Sequence, residues 1–173
     1  MERLWSPWRL EYVIGDKSPA CVFCLDDARH SAEERALQRS LVVFEGASCF
    51  VILNLYPYNN GHLMVVPYRH VPSLAALTAE ELSEIGVLTQ RSEVALYEAY
   101  RPQGINVGIN LGKPAGAGVE NHLHVHLVPR WNGDTNFISV VGDTRVLPED
   151  LQQSTARLRP VFADLARKQS SSA

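Results

Sequence analysis

Between Leu41 and Pro67 the chain carries three short apolar runs: LVVFE (41–45), CFVILN (49–54) and HLMVVP (62–67). Gly46 separates the first two, and the turn cluster LYPYNNG (55–61) precedes the third. Runs of this length, rich in β-branched and aromatic residues and bounded by turn formers, predict strands, the first two as a hairpin. At Thr78 the period changes. Thr78 and Glu81 make a capping box, and Leu82, Ile85, Thr89, Ser92, Leu96 and Ala99 follow at helical spacing. That helix is expected to end near Tyr100, because Pro102 disfavours helical geometry at Arg101. INVGINL (105–111) then predicts a strand, GKPAGAGVEN (112–121) a glycine-rich loop and HLHVHL (122–127) a further strand. A C-terminal helix is expected after Pro148, kinked or restarted at Pro160, with a frayed tail over 169–173. Residues 1–20 hold Trp5, Trp8 and Tyr12 without a period and are expected to wrap a surface as an arm. Neither a repeat nor a linker is visible. Strands, one long helix, strands and a last helix describe an α+β sheet with helices packed on it, in one domain over 1–173.

Within this pattern the segment NHLHVHLVPR (121–130) stands out, because His122, His124 and His126 alternate with Leu123, Val125 and Leu127. On a strand, residues i, i+2 and i+4 share a face, so one face is apolar and the other carries three imidazoles. Each buried ring nitrogen needs a partner, which makes three of them costly as filler. Metal ligation and nucleophilic or acid–base chemistry are the two functional readings, and they are compatible.

Composition narrows the setting. The chain has 173 residues, 46 % hydrophobic and 20 % charged, with a net charge of −3. This is an ordinary globular composition, without the basic surface of a nucleic-acid binder. No apolar run reaches the ~18 residues of a membrane span, and MERLWSPWRL lacks an apolar signal core, so a cytoplasmic protein is expected. Three cysteines do not suggest a disulfide framework. Cys49 sits in an apolar strand and reads as a buried, inert thiol.

Cys21 and Cys24 form a C-x-x-C, half of a tetrahedral zinc site. His70 and one triplet histidine could complete it; a redox pair or two unrelated thiols are the other readings. His30 lies in the polar run DDARHSAEER and reads as a solvated surface residue. The loop at 112–121 is long beside the usual ~2–5 residues of hairpins. Gly112, Gly116 and Gly118 free backbone N–H groups to face an anion and Lys113 adds a cation, or else the glycines simply make a turn. An anion loop feeding a histidine strand suggests phosphoryl or nucleotidyl chemistry with a neutral imidazole as nucleophile. The nucleophile's tautomer would be held by an acceptor such as a backbone carbonyl.

HLHVHLV resembles the His-φ-His-φ-His-φ-φ signature of the histidine-triad family of nucleotide-binding hydrolases and transferases, and NNGHLMVVPYRH resembles that family's upstream segment. The resemblance covers roughly residues 20–135. It implies a HIT-like antiparallel sheet of about five strands with a long central helix and a C-terminal helix, paired across a homodimer. It also implies His124 as the nucleophile, His126 as a contact to phosphate or the leaving oxygen, and His62 as support from the neighbouring strand. Leu53 would sit beside the base, Asn54 would hold the ribose and Asn110 would lie near the phosphates. The family's zinc-containing members imply Cys21, Cys24, His70 and His122 as a structural zinc site. Where many members carry Gln-Ser before the triad, this chain has Gly118 and Val119. Phosphate contacts would then come from Asn121, Lys113 or backbone amides. WSPWRLEY and PRWNGDTNF resemble the bacterial branch that includes diadenosine tetraphosphate phosphorylases; Trp131 and Phe137 could equally be core or dimer packing.

The resulting expectation is an enzyme that forms a nucleotidyl-histidine from a dinucleoside polyphosphate, diadenosine tetraphosphate foremost, and passes the nucleotide to phosphate or water, with phosphate slightly preferred. Nucleic acid and membrane are not expected partners. Hydrolysis of nucleoside phosphoramidates is one alternative, a non-catalytic nucleotide-binding protein a second and a metal-only module a third.

Overall fold

A computed structural model describes residues 20–134 and 149–170. The expected arm at 1–19, Phe137, the helix start at Pro148 and the tail at 171–173 lie outside the described residues. The elements run α1 (Ala32–Leu41), β1 (Val42–Glu45), β2 (Cys49–Leu53), β3 (Leu63–Pro67), α2 (Ala79–Tyr100), β4 (Gly104–Ile109), β5 (Val125–Arg130) and α3 (Leu151–Ser170). The five strands form one sheet in the order β1-β2-β3-β5-β4, with every pairing antiparallel. The α+β expectation is met strand for strand.

Register fixes the faces of this sheet. Ile52, Met64, His126 and Gly108 lie in one row across β2, β3, β5 and β4, and Leu53, Leu63, Leu127 and Val107 in the next. Neighbouring rows point to opposite sides. Cys49 belongs to the same side as Leu53, and its Sγ lies 3.8 Å from the Glu81 carbonyl, which places α2 on that side. Leu63, Leu127, Leu88, Leu96, Leu158 and Phe162 are fully buried in the shared core. Burial pushes the Cys49 thiol up to about 11, so it is inert as expected. On the opposite side, carrying His126, Val22, Phe23 and His30 together with Leu37 and Gln38 of α1 line a pocket with Ile52 and Met64.

Helix α1 has no counterpart among the expected elements. Its start is nonetheless a full capping box, Ser31 with Glu34, and AEERALQRSL contains good helix formers. The signal is hidden because only Leu41 of this helix joins the core, while Leu37 lines the pocket, which Leu41 also borders. The helix also corrects the reading of His30, which is 3 % exposed rather than solvated, with Nε2 2.9 Å from the Cys21 carbonyl. A further correction concerns α2, where Leu82 is 51 % exposed; the buried stripe is Ile85, Leu88, Ser92, Ala95 and Leu96. α3 runs through Pro160 without restarting.

The expected capping box of α2 is present, and it is more than a helix start. Glu81 accepts from the Thr78 N–H and pairs with Arg69 through Nε (2.9 Å) and Nη2 (2.6 Å), tying the helix to the end of β3. The hydrogen bonds from Arg69, then from Thr78, hold its carboxyl down at about 2 against an ordinary 4.5. A carboxylate depressed on folding stabilises above its unfolded pKa, and that stabilisation is lost as pH falls through the folded value. The stability advantage of wild type over Glu81→Gln is therefore expected to be complete at pH 7 and to shrink from about pH 4.5 to about 2. Urea denaturation of both proteins at pH 7 and pH 3 checks it; an advantage that does not change with pH contradicts it.

The turn before β3 has a sharper constraint. Gly61 has φ +73°, and a Cβ there would lie 2.7 Å from the Tyr100 ring. Gly61→Ala is expected to cost at least about 2 kcal/mol, through left-handed strain plus the clash. Chemical denaturation reads this directly, and a loss below about 0.5 kcal/mol would contradict it.

Candidate functional site

His122 and His124 lie just before β5 and His126 within it, so the strand begins three residues later than the alternation alone predicts. Leu123 donates its N–H to the Val71 carbonyl at 2.7 Å, and both Leu123 and Leu127 are buried. The three rings form a series with distinct surroundings. His122 is 4.9 Å from the His70 ring, and His124 is 4.7 Å from the His126 ring.

At the first end, Cys21 Sγ lies 3.3 Å from His122 Nδ1 and Cys24 Sγ 3.3 Å from His70 Nδ1. The four ligand atoms all fall within 4.8 Å of one another. Two thiols and two imidazoles are the donor set of a tetrahedral structural site. The outer hydrogen bond fits as well: His122 Nε2 lies 2.8 Å from the Pro67 carbonyl, which places the proton there and leaves Nδ1 free to ligate. The cluster can hold a metal ion, and it joins the N-terminal segment to the sheet.

In the middle, His124 Nδ1 lies 2.8 Å from the His122 carbonyl. Nδ1 therefore carries the proton, and Nε2 presents a lone pair. Phe23, the third residue of the C-x-x-C, rests against this ring at 4.9 Å. At the far end a directional chain sets two further tautomers. The Tyr58 N–H donates to His62 Nδ1 at 3.1 Å, so His62 carries its proton on Nε2, which lies 3.0 Å from His126 Nδ1. His126 accepts there and so bears its proton on Nε2. The arrangement offers a lone pair on one ring beside an N–H donor on the next.

Burial keeps these rings neutral. It pushes His62 down to about 3, helped by His126 and His124, and His126 down to about 4, helped by His124. His124 is also lowered by burial, partly offset by its bond to the His122 carbonyl. A neutral imidazole is the nucleophilic form, and burial favours that form in all three rings.

His124 and His126 open into a pocket whose apolar wall is Val22, Phe23, Leu37, Leu41, Ile52, Leu53, Leu55 and Met64. Asn54, Asn110, Gly116, Gly118 and Val119 complete this end of the lining. The structure thus gathers His124, His126, Leu53, Asn54, Asn110 and Gly118 around one space. His62 supports it from behind, stacked on Tyr58 at 5.1 Å. Asn54 Nδ2 lies 3.4 Å from His62 Nδ1, and its Oδ1 accepts the Tyr56 N–H. Lys113 and Asn121 do not line the pocket; the Lys113 side chain is 80 % exposed, 3.8 Å from Glu120. Gly112 and Gly116 adopt φ of +79° and +91°, and the N–H groups of Ala115, Gly116 and Ala117 are donated to the loop's own carbonyls, those of Gly112 and Lys113, so of this loop Gly116, Gly118 and Val119 reach the pocket lining. Sequence reasoning missed Phe23, Tyr58 and the α1 wall. Ser31-x-x-Glu34 was a usable signal for α1; a ring-to-ring contact leaves none.

Neutral, tautomer-fixed imidazoles at the mouth of an apolar pocket, beside a glycine-rich loop, are equipment for transferring a phosphoryl-type group. The HIT domain family model matches residues 35–133, and the chain belongs to that family. It is 44 % identical over 167 residues to an "AP-4-A phosphorylase" of Mycobacterium tuberculosis, covering 91 % of this chain and 82 % of the relative. It is 32 % identical to a "Bis(5'-adenosyl)-triphosphatase" of Dictyostelium discoideum, covering 76 % of this chain and 92 % of that one. Among solved structures, a zinc-bound histidine triad family protein from Mycobacterium smegmatis superposes with a TM-score of 0.66 at 28 % identity, covering 88 % of this chain and 99 % of that one. Among the described residues no helix is long and apolar enough to cross a membrane.

Proposed function

We propose that this chain cleaves dinucleoside polyphosphates, diadenosine tetraphosphate foremost, by transferring the nucleotidyl group through His124 to inorganic phosphate. The observation that carries the reading is the pair of opposed tautomers, a lone pair on His124 Nε2 and an N–H on His126 Nε2. His124 Nε2 attacks the α-phosphorus, forming a P–N bond while the bond from phosphorus to the bridging oxygen breaks. The bridging oxygen leaves with the electron pair as part of ATP, its charge met by the His126 N–H. The positive charge that develops on His124 is shared with the His122 carbonyl through Nδ1–H. The backbone amides of Gly118 and Val119, which line the pocket where other members carry Gln-Ser, meet the charge on the phosphoryl oxygens. An oxygen of phosphate then attacks the same phosphorus, the P–N bond breaks and ADP leaves with His124 neutral again. Water in that second step would give AMP.

Leu53 and Asn54 are assigned to the base and ribose, and Asn110 and Gly118 to the phosphates, because all four line the pocket that His124 enters. Cys21, Cys24, His70 and His122 are assigned to zinc, which supplies a structural cross-link and no step of the reaction. Two thiols kept as metal ligands suit a reducing, cytoplasmic setting. Residues 1–173 are assigned to one domain. We also assign a homodimer, formed at the open edge of β4, where Val107 is 52 % and Leu111 46 % exposed. Val94 and Tyr97 of α2, the helix on the Val107 side of the sheet, are each 45 % exposed.

Chromatography of products after incubation with diadenosine tetraphosphate tests the reaction. ADP plus ATP, formed only when phosphate is added, is the expected result. AMP plus ATP without phosphate would replace the phosphorylase with a hydrolase working on the same intermediate. No turnover under either condition would overturn the substrate.

A further inference from the structure

The two residues inside the C-x-x-C turn belong to the pocket as well. Val22 and Phe23 both line it, and Val22 is 45 % exposed. One four-residue turn therefore carries two of the metal-ligating groups and part of the apolar wall. Residues 21–30 hold that turn in shape. The Cys24 N–H donates to the Cys21 carbonyl at 2.9 Å, the Asp27 N–H to the Cys24 carbonyl at 3.0 Å and the His30 N–H to the Asp27 carbonyl at 3.1 Å. The buried His30 ring then folds back on the start of the run. Its Nε2 lies 2.9 Å from the same Cys21 carbonyl, which can only accept, so Nε2 carries the proton. His30 is fixed in turn to α1, because Arg35 Nη1 donates to the His30 carbonyl. Its ring also lines the pocket.

These bonds make one unit of the metal-ligating turn and the α1 side of the pocket. The folded turn sets Cys21 Sγ beside His122 and Cys24 Sγ beside His70, and the same folded turn presents Val22 and Phe23 to the pocket. A planar base seated on that apolar wall packs against the turn in this conformation. When two ligands prefer one conformation, the first to bind bears part of the ordering cost for the second, and each tightens the other by the same factor. Resting on the proposed nucleotide reading of this pocket, we propose that metal and nucleotide bind cooperatively through the C-x-x-C turn, with His30 as the positioning residue that ties the turn to the pocket wall. An occupied pocket then retains the metal, and loss of the metal weakens the hold on nucleotide. His30 touches no reacting atom; it acts through the Cys21 carbonyl.

The test is the zinc affinity of the full-length protein, read by competition with a chromophoric chelator, with and without saturating AMP. Wild type is expected to bind zinc about fivefold tighter or more when AMP is present. His30→Phe, which keeps a ring but has no donor, should bind zinc more weakly, and saturating AMP should change its affinity by less than about twofold. His30→Gln, whose amide N–H can take the place of Nε2–H, should restore the response to AMP. A wild-type zinc affinity that AMP does not change, a response that survives in His30→Phe, or a His30→Gln protein that behaves like His30→Phe would each overturn the proposal. A separate AMP titration of the zinc-loaded protein keeps the two readings apart. If AMP binds and tightens zinc but diadenosine tetraphosphate is not turned over, the reaction reading falls while the coupling stands. If AMP binds and leaves zinc affinity unchanged, the coupling falls alone; if AMP does not bind, it falls together with the nucleotide reading of the pocket.

Discussion

Replacing His124 with Asn is expected to lower turnover of diadenosine tetraphosphate by about 10⁴-fold or more while leaving nucleotide affinity within a few-fold. The separation follows from the geometry. Nδ1 of His124 is spent on the His122 carbonyl, so chemistry has only Nε2, and Asn has nothing at that position. Asn can still donate from its amide to the same carbonyl, so the substitution does not strand a buried acceptor. The apolar wall that would hold the base is contributed by other residues, among them Phe23, Ile52 and Met64. Single-turnover kinetics and a binding titration check the two halves separately. Affinity lost in step with turnover would mean that the ring holds substrate rather than attacks it. Unchanged turnover would remove His124 from the reaction.

The second large effect is at the cysteines. Cys24→Ser is expected to abolish tight metal binding and to cost on the order of 3 kcal/mol, lowering Tm by about 6–12 °C for a domain of this size. A serine hydroxyl does not replace a thiolate ligand for a soft or borderline metal. The loss should reach beyond stability. His122 contributes its ring to the cluster and its carbonyl to His124 Nδ1, and Phe23, held between the two cysteines, packs against both His122 and His124. Loosening the cluster therefore loosens the His124 tautomer, and turnover should fall together with Tm. Metal content by elemental analysis, followed by melting with and without a chelator, provides the check. A variant that keeps its metal, or a metal-free protein with unchanged Tm and turnover, would contradict the assignment.

Comparison of pattern and structure shows what kind of information each residue carried. The strands and α2 were legible because their apolar positions meet the core, so burial and periodicity say the same thing. Helix α1 was not, since Leu41 alone joins the core, Leu37 meets the pocket and the rest of the helix meets water or short polar contacts. His30 followed α1 into error: its polar neighbours suggested solvent, but Ser31 starts a helix that folds back over it. Leu82 was placed on the wrong side of α2 because its spacing from Ile85 and Ser92 is close to helical but falls outside the buried stripe. At the site, the three histidines and the C-x-x-C were visible as chemistry. Their tautomers were not, because these depend on the backbone N–H of Tyr58 and the carbonyls of His122 and Pro67, which no side-chain pattern reports. In the loop, glycine marks the positive φ at Gly112 and Gly116, which belongs to the backbone, whereas Lys113 carries a long cationic side chain that faces solvent.

The central claim is a covalent bond between His124 and the nucleotide. Its most direct measurement is mass spectrometry of the protein mixed with diadenosine tetraphosphate in the absence of phosphate and quenched in alkali, under which phosphoramidates persist. An added adenylyl group that maps to the peptide containing His124, and disappears on addition of phosphate as ADP forms, is the predicted result. Turnover with no adenylated protein at any time, or an adenylyl group that maps elsewhere and is still formed by His124→Asn, would contradict it.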